Sequence, residues 1–163
     1  MYYKFCPYCG NANGSWQENK FSCSNCKKYT YTDSKPTASV LIINDNKVLL
    51  GKRGVEPGKG MWDVIGGFTK YGEHPETAAI REAKEETGLD LKIKEQLGIF
   101  MDEYGSDKHS TLNICYLASV TGGEAKAGDD IIELKWFEPN KLPANIAFQN
   151  GKDMLETWIK IKN

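Results

Sequence analysis

The sequence lacks long hydrophobic runs and lacks an excess of charge of either sign. No apolar run approaches the roughly eighteen residues that span a bilayer, so no membrane partner is expected. The first ten residues, MYYKFCPYCG, lack the apolar core of a signal peptide, so we expect a cytoplasmic location. Lys and Arg number 21 against 22 Asp and Glu, a formal net charge of -1. This balance argues against a protein that coats nucleic acid or anionic lipid through bulk charge.

The sequence also lacks internal repeats and low-complexity tracts. Its 163 residues, 40% of them hydrophobic, are enough for one ordinary domain with a real core and a small second unit. Composition changes on either side of the polar stretch TDSKPT, which contains a proline and is typical of a linker. The sequence therefore predicts a small domain at residues 1–32, a linker at 33–37 and a larger domain at 38–163.

Four of the five cysteines form two C-x2-C pairs, which suit tetrahedral zinc because each pair places two thiolates on one tight turn. The pairs are Cys6 with Cys9 and Cys23 with Cys26. Disulfide bonds are the alternative, less expected without an export signal. A redox role is disfavoured because no βαβ pattern follows. We therefore predict a structural zinc ribbon, and we interpret Cys115 as a small buried hydrophobe.

The pattern of residues 38–163 predicts a domain of mixed α and β structure. Strands are expected at residues 38–43, 48–50, 91–102, 112–120 and 131–137. A first helix is expected from Pro75 to the capping residue Gly88, and a second from about residue 151 to 161. The second helix has an apolar side formed by Met154, Leu155, Trp158 and Ile159.

The first predicted helix carries a cluster of like charges. At about 100° per residue, Glu82, Glu85 and Glu86 share one side of the helix. The opposite, packing side is expected to hold Ile80, Ala83 and Thr87. Like charges four residues apart cost a helix a few tenths of a kcal/mol, so helix propensity does not explain the cluster. A solvated acidic surface is the common interpretation, and a site for Mg²⁺ held by carboxylates is the alternative.

The surrounding residues favour the metal site. Gly67 is followed after five residues by Glu73 and after seven more by REAKEETGL, residues 81–89. This spacing resembles the Nudix box, and the resemblance extends to LLGKRGVEPGKGMWDVIGGF before it and IIELKWFEP after it. The resemblance implies an α+β fold, a Nudix-type α/β/α sandwich with a mixed β-sheet behind the zinc ribbon. It also implies a hydrolase that cleaves nucleoside diphosphates linked to another moiety.

The resemblance also implies roles for individual residues. The acidic cluster of Glu82, Glu85 and Glu86, with the backbone carbonyl of Gly66, matches the positions that bind one to three Mg²⁺ or Mn²⁺ ions in this family. Arg81 and Glu73 match residues that brace the loop and the helix. The general base is either a glutamate of the box or an acid from a later loop, for which Asp130 is the candidate here. Asp130 is also a candidate ligand of the Mg²⁺ or Mn²⁺ ions, with a solvated turn residue as an equal alternative. In this interpretation, metal-activated water attacks one phosphorus of a pyrophosphate.

Residues near the box are candidates for substrate binding. Lys52 and Arg53 lie on the strand that leads to the box and are candidates for phosphate contact, with solvated strand cations as an equal alternative. Phe68 and Tyr71 are candidates for stacking on a base. Trp62 is another, although core packing is the more frequent fate of such a residue.

The zinc ribbon ahead of the box resembles the group of NADH and ADP-ribose pyrophosphatases, which favours a dinucleotide or nucleotide sugar as substrate. Two alternatives remain: a protein that binds nucleotide or nucleic acid through the ribbon, and a hydrolase that removes nucleotide caps from RNA. Both use the aromatic residues Tyr2, Tyr3, Phe5 and Tyr8 and a local net charge of +3 in residues 1–35. Nucleic acid is not the expected partner, and a homodimer, common among relatives, is an open alternative to a monomer.

Overall fold

The computed structural model describes residues 3–106 and 109–162. Tyr2, one of the four ribbon aromatic residues named above, lies outside this part of the chain. The three strands of the N-terminal ribbon are β1 (Gly14–Gln17), β2 (Lys20–Cys23) and β3 (Tyr29–Tyr31). They form an antiparallel sheet in the order β1-β2-β3. Phe21 and Cys23 point inward and pack with Cys6, so the ribbon has only a very small core of its own.

The larger domain contains the predicted strands and helices in the predicted order, together with two short strands between residues 62 and 68. Its strands are β4 (Lys35–Asn44), β5 (Lys47–Arg53), β6 (Trp62–Asp63), β7 (Ile65–Phe68), β8 (Leu89–Tyr104), β9 (His109–Gly123) and β10 (Ile131–Phe137). Its helices are α1 (Pro75–Thr87) and α2 (Gln149–Lys162). Strand β4 begins at Lys35, so the last three residues of the predicted linker belong to the sheet rather than to a connection. Strands β8 and β9 are also longer than the pattern predicted, because they pair with each other along almost their whole length.

The central sheet has the order β10-β5-β4-β9-β8, with β6 paired to β5 and β7 paired to β4. Strands β4 and β9 run parallel, whereas the other pairs in the sheet are antiparallel. The sheet is therefore mixed, as predicted.

One helix covers each face of this sheet. Because side chains alternate along β4, Val40 and Ile42 face α1, where Ala79 and Ala83 allow close approach. Leu41 faces the other way and packs in the layer that contains α2. That layer also contains Cys115, Met154, Leu155 and Trp158, all of which are buried. The α/β/α sandwich is therefore confirmed.

Helix α1 has the predicted ends. Pro75 occupies the first turn, and Gly88 caps the C-terminus in the left-handed conformation with φ of 71°. His74 precedes the helix, and its Nδ1 accepts a hydrogen bond from the backbone N–H of Glu76. The prediction for Ile80 was wrong, because its side chain is 38% exposed. In the described part of the chain, neither helix is long and apolar enough to cross a membrane.

Candidate active site

A cavity of about 290 Å³ opens beside the N-terminal end of β4. Its walls come from both helices and from six strands of the larger domain, together with the segment before β10. The lining residues are Thr37, Ser39, Arg53, Asp63, Val64, Gly66, Gly67, Phe68, Glu82, Glu86, Asp102, Glu103, Tyr104, Thr111, Asn113, Asp129, Asp130, Phe148, Asn150 and Met154.

Glu86 lies at the acidic end of the cavity, held by the backbone of β7. Its side chain is buried, and its Oε2 accepts a hydrogen bond from the N–H of Gly66 at 3.1 Å. Gly66 has φ of 151°, and a Cβ there would lie 2.4 Å from the carbonyl oxygen of Ala38. Only glycine lets β7 pass this close to β4. The glycine before the box therefore places a backbone N–H against the buried carboxylate.

The electrostatics of this end are unbalanced toward negative charge. Burial, followed by repulsion from Asp130, raises the pKa of Glu86 to about 9, against the hydrogen bond from Gly66. Burial also raises the pKa of Glu82, although Arg81 acts in the opposite direction. A cation in the cavity would relieve both effects, because it stabilises the ionised forms.

Arg81 braces the acidic end. Its Nε and Nη2 donate to the two carboxylate oxygens of Glu73 at 2.8 and 2.9 Å, a bidentate pair. Its Nη1 donates to Glu82 at 2.7 Å and to Glu85 at 2.8 Å. The hydrogen bonds from Arg81 are the main reason that the pKa of Glu73 falls to about 2. Glu82 lines the cavity, whereas Glu85 has a 44% exposed side chain and lies outside the lining.

Lys52 and Arg53 separate because neighbouring side chains of a strand point to opposite faces. Lys52 pairs with Glu133 at 3.1 Å, and the structure does not bring it to the cavity. Arg53 does line the cavity, but its guanidinium is already engaged. It donates to Asp63 at 3.2 Å and lies 3.6 Å from Asp130. Arg53 is therefore paired with acids and is not a free cation available to a phosphate.

Asp63 was not identified from the sequence. Burial raises the pKa of its carboxyl to about 7, although the neighbouring Arg53 lowers it. The only local signal is its position two residues before the buried Ile65, which does not distinguish it from a surface acid. Its contact with Arg53 arises from the pairing of β5 with β6.

The chemistry of the acidic end suits a hard divalent cation. Glu82, Glu86 and Asp130 line one cavity, and one oxygen of Asp130 is buried without a hydrogen-bond partner among the described residues. The carboxylate oxygens of this cavity are not close enough together to hold one ion as they stand. Within residues 3–106 and 109–162, no three carboxylates bring oxygens within 4.8 Å of one another. The candidate oxygen ligands therefore share the cavity, and they would bind one ion together only after their side chains moved closer.

The four ribbon cysteines do form a compact donor set. Their sulfurs all lie within 4.8 Å of one another, with Cys6 to Cys26 at 3.6 Å and Cys9 to Cys23 at 3.8 Å. A tetrahedral zinc ion with Zn–S bonds of about 2.3 Å holds its sulfurs about 3.8 Å apart. These separations are too long for disulfide bonds. Hydrogen bonds from the backbone of Asn11 and the side chain of Asn25 lower the pKa of the Cys9 thiol to about 6, which favours the thiolate that metals bind. Against the backbone hydrogen bond from Lys28, burial and the neighbouring thiols raise the pKa of Cys26 to about 11, so without a metal the charge is not shared evenly.

An aromatic wall, formed by Phe68, Tyr104 and Phe148, lies along another side of the cavity. The rings of Phe68 and Tyr104 pack edge to face with their centres 5.4 Å apart, and the ring centres of Tyr104 and Phe148 are 5.6 Å apart. Phe68 is 39% exposed, so its ring is accessible to a ligand. Trp62 instead packs against Phe137 in the core, and Tyr71 is fully exposed outside the cavity.

The fold and the site define a class of protein. A mixed sheet lies between two helices, and carboxylates of one helix face a cavity, an arrangement compatible with metal-assisted hydrolysis. The model of the NUDIX domain family matches residues 33–157. The chain belongs to the Nudix family, which confirms the predicted family and the hydrolase class.

Individual relatives agree with this assignment. The chain is 39% identical over 138 residues to the ADP-ribose pyrophosphatase of Methanocaldococcus jannaschii, covering 84% of this chain and 80% of that protein. It is 32% identical over 142 residues to the NAD-capped RNA hydrolase NudC of Vibrio atlanticus, covering 86% of this chain but only 51% of that protein. The chain therefore spans about half the length of that relative. The crystal structure of a NUDIX hydrolase from Nitrosomonas europaea has the same fold, with a TM-score of 0.80, 24% identity, and coverage of 97% of this chain and 91% of that one.

Proposed function

We propose that this protein is a metal-dependent pyrophosphohydrolase of a nucleoside diphosphate linked to another moiety, with ADP-ribose as the expected substrate. The observation that carries the proposal is that one cavity joins an acidic end, with Glu82, Glu86 and Asp130, to the aromatic wall. Such a site suits a ligand with a pyrophosphate at one end and a flat base at the other. The M. jannaschii relative named ADP-ribose pyrophosphatase supports this choice of substrate.

The acidic end would hold Mg²⁺ or Mn²⁺ through the carboxylates of Glu82, Glu86 and Asp130 and the backbone carbonyl of Gly66. Bound there, a divalent ion neutralises pyrophosphate charge and makes a water more acidic. Glu85 joins this set only if its pair with Arg81 opens, because Arg81 now holds it on the exposed side of α1.

The remaining residues position this cluster. Arg81 holds Glu82 and is itself anchored by Glu73, which keeps one carboxylate directed at the cavity. Arg53 holds the carboxylate of Asp130 in a similar way, and its positive charge offsets part of the charge of that carboxylate. A carboxylate of the cluster accepts the proton of the attacking water. The water oxygen bonds to one phosphorus as the bridging P–O bond breaks, so ADP-ribose yields AMP and ribose 5-phosphate.

We propose a structural role for the ribbon, with Zn²⁺ bound by its four thiolates. The ribbon core is too small to order the segment without such a link. Residues 1–32 would then form a domain distinct from the catalytic one. The homodimer and the cytoplasmic location stay predictions, and light scattering after gel filtration tests the first of them.

The test of the proposed activity is a product-mass screen of the purified protein with Mg²⁺ or Mn²⁺. The substrates are ADP-ribose, NADH, NAD⁺, diadenosine polyphosphates and nucleoside triphosphates. We expect ADP-ribose to be cleaved with the highest kcat/KM and to give AMP. Absence of turnover on every substrate with both metals would contradict the hydrolase proposal, and a preference for nucleoside triphosphates would contradict the proposed substrate.

Removal of a nucleotide cap from RNA is a second candidate, favoured by the outer face of the ribbon sheet. Tyr29 and Tyr31 lie two residues apart on β3, so their side chains share one face, and they are 55% and 46% exposed. Lys20 lies directly opposite Tyr31 on the same face. The ammonium group of Lys20 lies 4.5 Å from the ring centre of Tyr29. Exposed aromatic rings with cations suit the stacking of single-stranded nucleic acid.

Filter binding of a single-stranded RNA at low and high salt tests this second candidate. We expect binding at low salt that weakens as salt is added, and loss of that binding in the double variant Tyr29→Ala, Tyr31→Ala. Because both rings are exposed, the variant should keep its fold and its turnover of ADP-ribose. If the wild-type protein shows no RNA affinity even at low salt, this candidate is wrong.

A further inference from the structure

The cavity has a polar floor, formed by Thr37 and Ser39 on β4 and Thr111 and Asn113 on β9. The two strands are parallel neighbours, and Thr37 is the direct partner of Asn113. All four side chains belong to the face of the sheet that α2 covers, because they continue the alternation that places apolar residues under that helix. The face of the sheet under α2 is therefore apolar beneath the helix and polar where it lines the cavity.

Asn113 has an unpaired acceptor in this floor. The residue is 5% exposed, and its Nδ2 donates to the hydroxyl of Ser39 at 2.8 Å. Its Oδ1 is buried and has no hydrogen-bond partner anywhere in residues 3–106 or 109–162. Buried side-chain oxygens are nearly always paired in folded proteins, since an unpaired one costs stability. A molecule in the cavity would supply the missing partner if neighbouring side chains shifted to uncover this oxygen.

Three of the neighbouring polar side chains, those of Thr37, Thr111 and Asp102, already have hydrogen-bond partners. The hydroxyls of Thr37 and Thr111 donate to backbone carbonyls at 3.5 and 3.3 Å. One carboxylate oxygen of Asp102 accepts from the backbone N–H of Asn150 at 2.8 Å, and the other accepts from the next residue at 2.7 Å. Asn113 thus offers the floor an acceptor that requires an N–H or O–H donor from the ligand.

The aromatic wall restricts what that ligand is. Phe68, Tyr104 and Phe148 line the same cavity as the floor, so a flat ring that stacks on the wall can direct its edge at Asn113. Adenine has this shape, and its exocyclic amine supplies the donor. Hypoxanthine has the same shape but carries a carbonyl oxygen in place of that amine, which would set two acceptors against each other.

We propose that Asn113 determines base specificity: its Oδ1 accepts a hydrogen bond from the exocyclic amine of adenine and so selects adenine over hypoxanthine. The choice of an adenine nucleotide as the ligand rests on the function proposed above. The contact adds a polar group that senses the base, distinct from the carboxylates that handle the pyrophosphate.

The first test compares kcat/KM for ADP-ribose and inosine diphosphate ribose. We expect the wild-type protein to prefer ADP-ribose by at least about tenfold, since a site built to pair with a substrate group rejects the analogue that lacks it. In Asn113→Leu, a substitution of similar volume without polar atoms, the ratio should fall toward one through loss of activity on ADP-ribose. Asn140→Leu is the matched control at an exposed turn outside the cavity, and it should keep the wild-type ratio.

The second test measures binding of AMP and IMP by calorimetry and needs no turnover. We expect the wild-type protein to bind AMP at least about tenfold more tightly than IMP. If neither diphosphate ribose is hydrolysed while this binding preference holds, the proposed function fails and the role of Asn113 stands. A wild-type preference below tenfold in both tests, or a preference for inosine, overturns the role of Asn113 and would mean that water pairs its oxygen or that the amide is reversed. A wild-type preference below tenfold overturns the role of Asn113 even if Asn113→Leu does not fold.

Discussion

Replacing Glu86 by glutamine should make the protein more stable without its catalytic metal and slower with it. Burial and then repulsion from Asp130 raise the pKa of this carboxyl from 4.5 to about 9. At pH 7 the unfolded chain ionises the carboxyl whereas the folded chain keeps it protonated, which costs the folded state about 3 kcal/mol. Glutamine carries no charge and retains an oxygen for the N–H of Gly66, so it removes this cost.

The sign of the pH dependence follows from the raised pKa. A carboxyl of this kind contributes its full stability below pH 4.5 and loses that contribution as the pH rises toward about 9. The free energy of unfolding of the wild-type protein should therefore fall between pH 5 and pH 8, and Glu86→Gln should lack this pH-dependent loss. We expect the advantage of the variant to be about 4 kcal/mol larger at pH 8 than at pH 5. Urea unfolding in buffer without added Mg²⁺ or Mn²⁺ and without a chelator measures this difference and would retain the zinc ion proposed for the ribbon.

The same variant should be impaired in catalysis. Loss of an acid or base in the cluster costs about 10²- to 10⁴-fold in turnover, and Glu82→Gln should show a loss of the same order. Glu76→Gln is the control, an exposed acid in the first turn of the same helix, and its stability should change by less than about 1 kcal/mol. The reasoning is refuted if Glu86→Gln is less stable than the wild-type protein at both pH values, or if it retains full turnover.

Three further substitutions test the surroundings of the site. Arg81→Lys keeps the charge but loses the bidentate pair, so kcat should fall by about tenfold or more while zinc content, measured by atomic absorption, stays unchanged. Glu73→Gln removes a carboxyl whose pKa is lowered to about 2. The stability that this carboxylate contributes is present above pH 4.5 and is lost as the pH falls. In urea unfolding, the stability advantage of the wild-type protein over the variant should therefore shrink between pH 6 and pH 3. Lys52→Ala should leave KM for ADP-ribose within about twofold of wild type, because an exposed ion pair outside the cavity contributes little. A large rise in KM would show that Lys52 reaches the substrate.

Features that depend on local spacing could be predicted from the sequence. The two cysteine pairs bring four sulfurs together because each turn presents two of them and the short strands between the turns close the set. The ends of α1 follow from Pro75 and Gly88, whose backbone preferences hold in almost any surroundings. The bracing of the helix by Arg81 was likewise implied by the resemblance of its motif.

Features that depend on distant contacts could not be predicted in this way. The helical pattern placed Glu85 and Glu86 together, yet one is half exposed and the other buried, because only Glu86 faces β7. Arg53 is engaged by Asp63 and Asp130, which reach it through the pairing of β5 with β6 and the loop before β10.

The sequence by itself determined the family, the main helices and strands, and two acids that line the cavity, Glu82 and Glu86, because these depend on short spacings and on local backbone geometry. Tertiary structure decided which of those acids are buried, which cation is already paired, and that Asn113 meets Ser39 across two parallel strands. Parallel strands need a long connection between them, so the residues that form the cavity floor lie far apart in the chain, and no local pattern joins them.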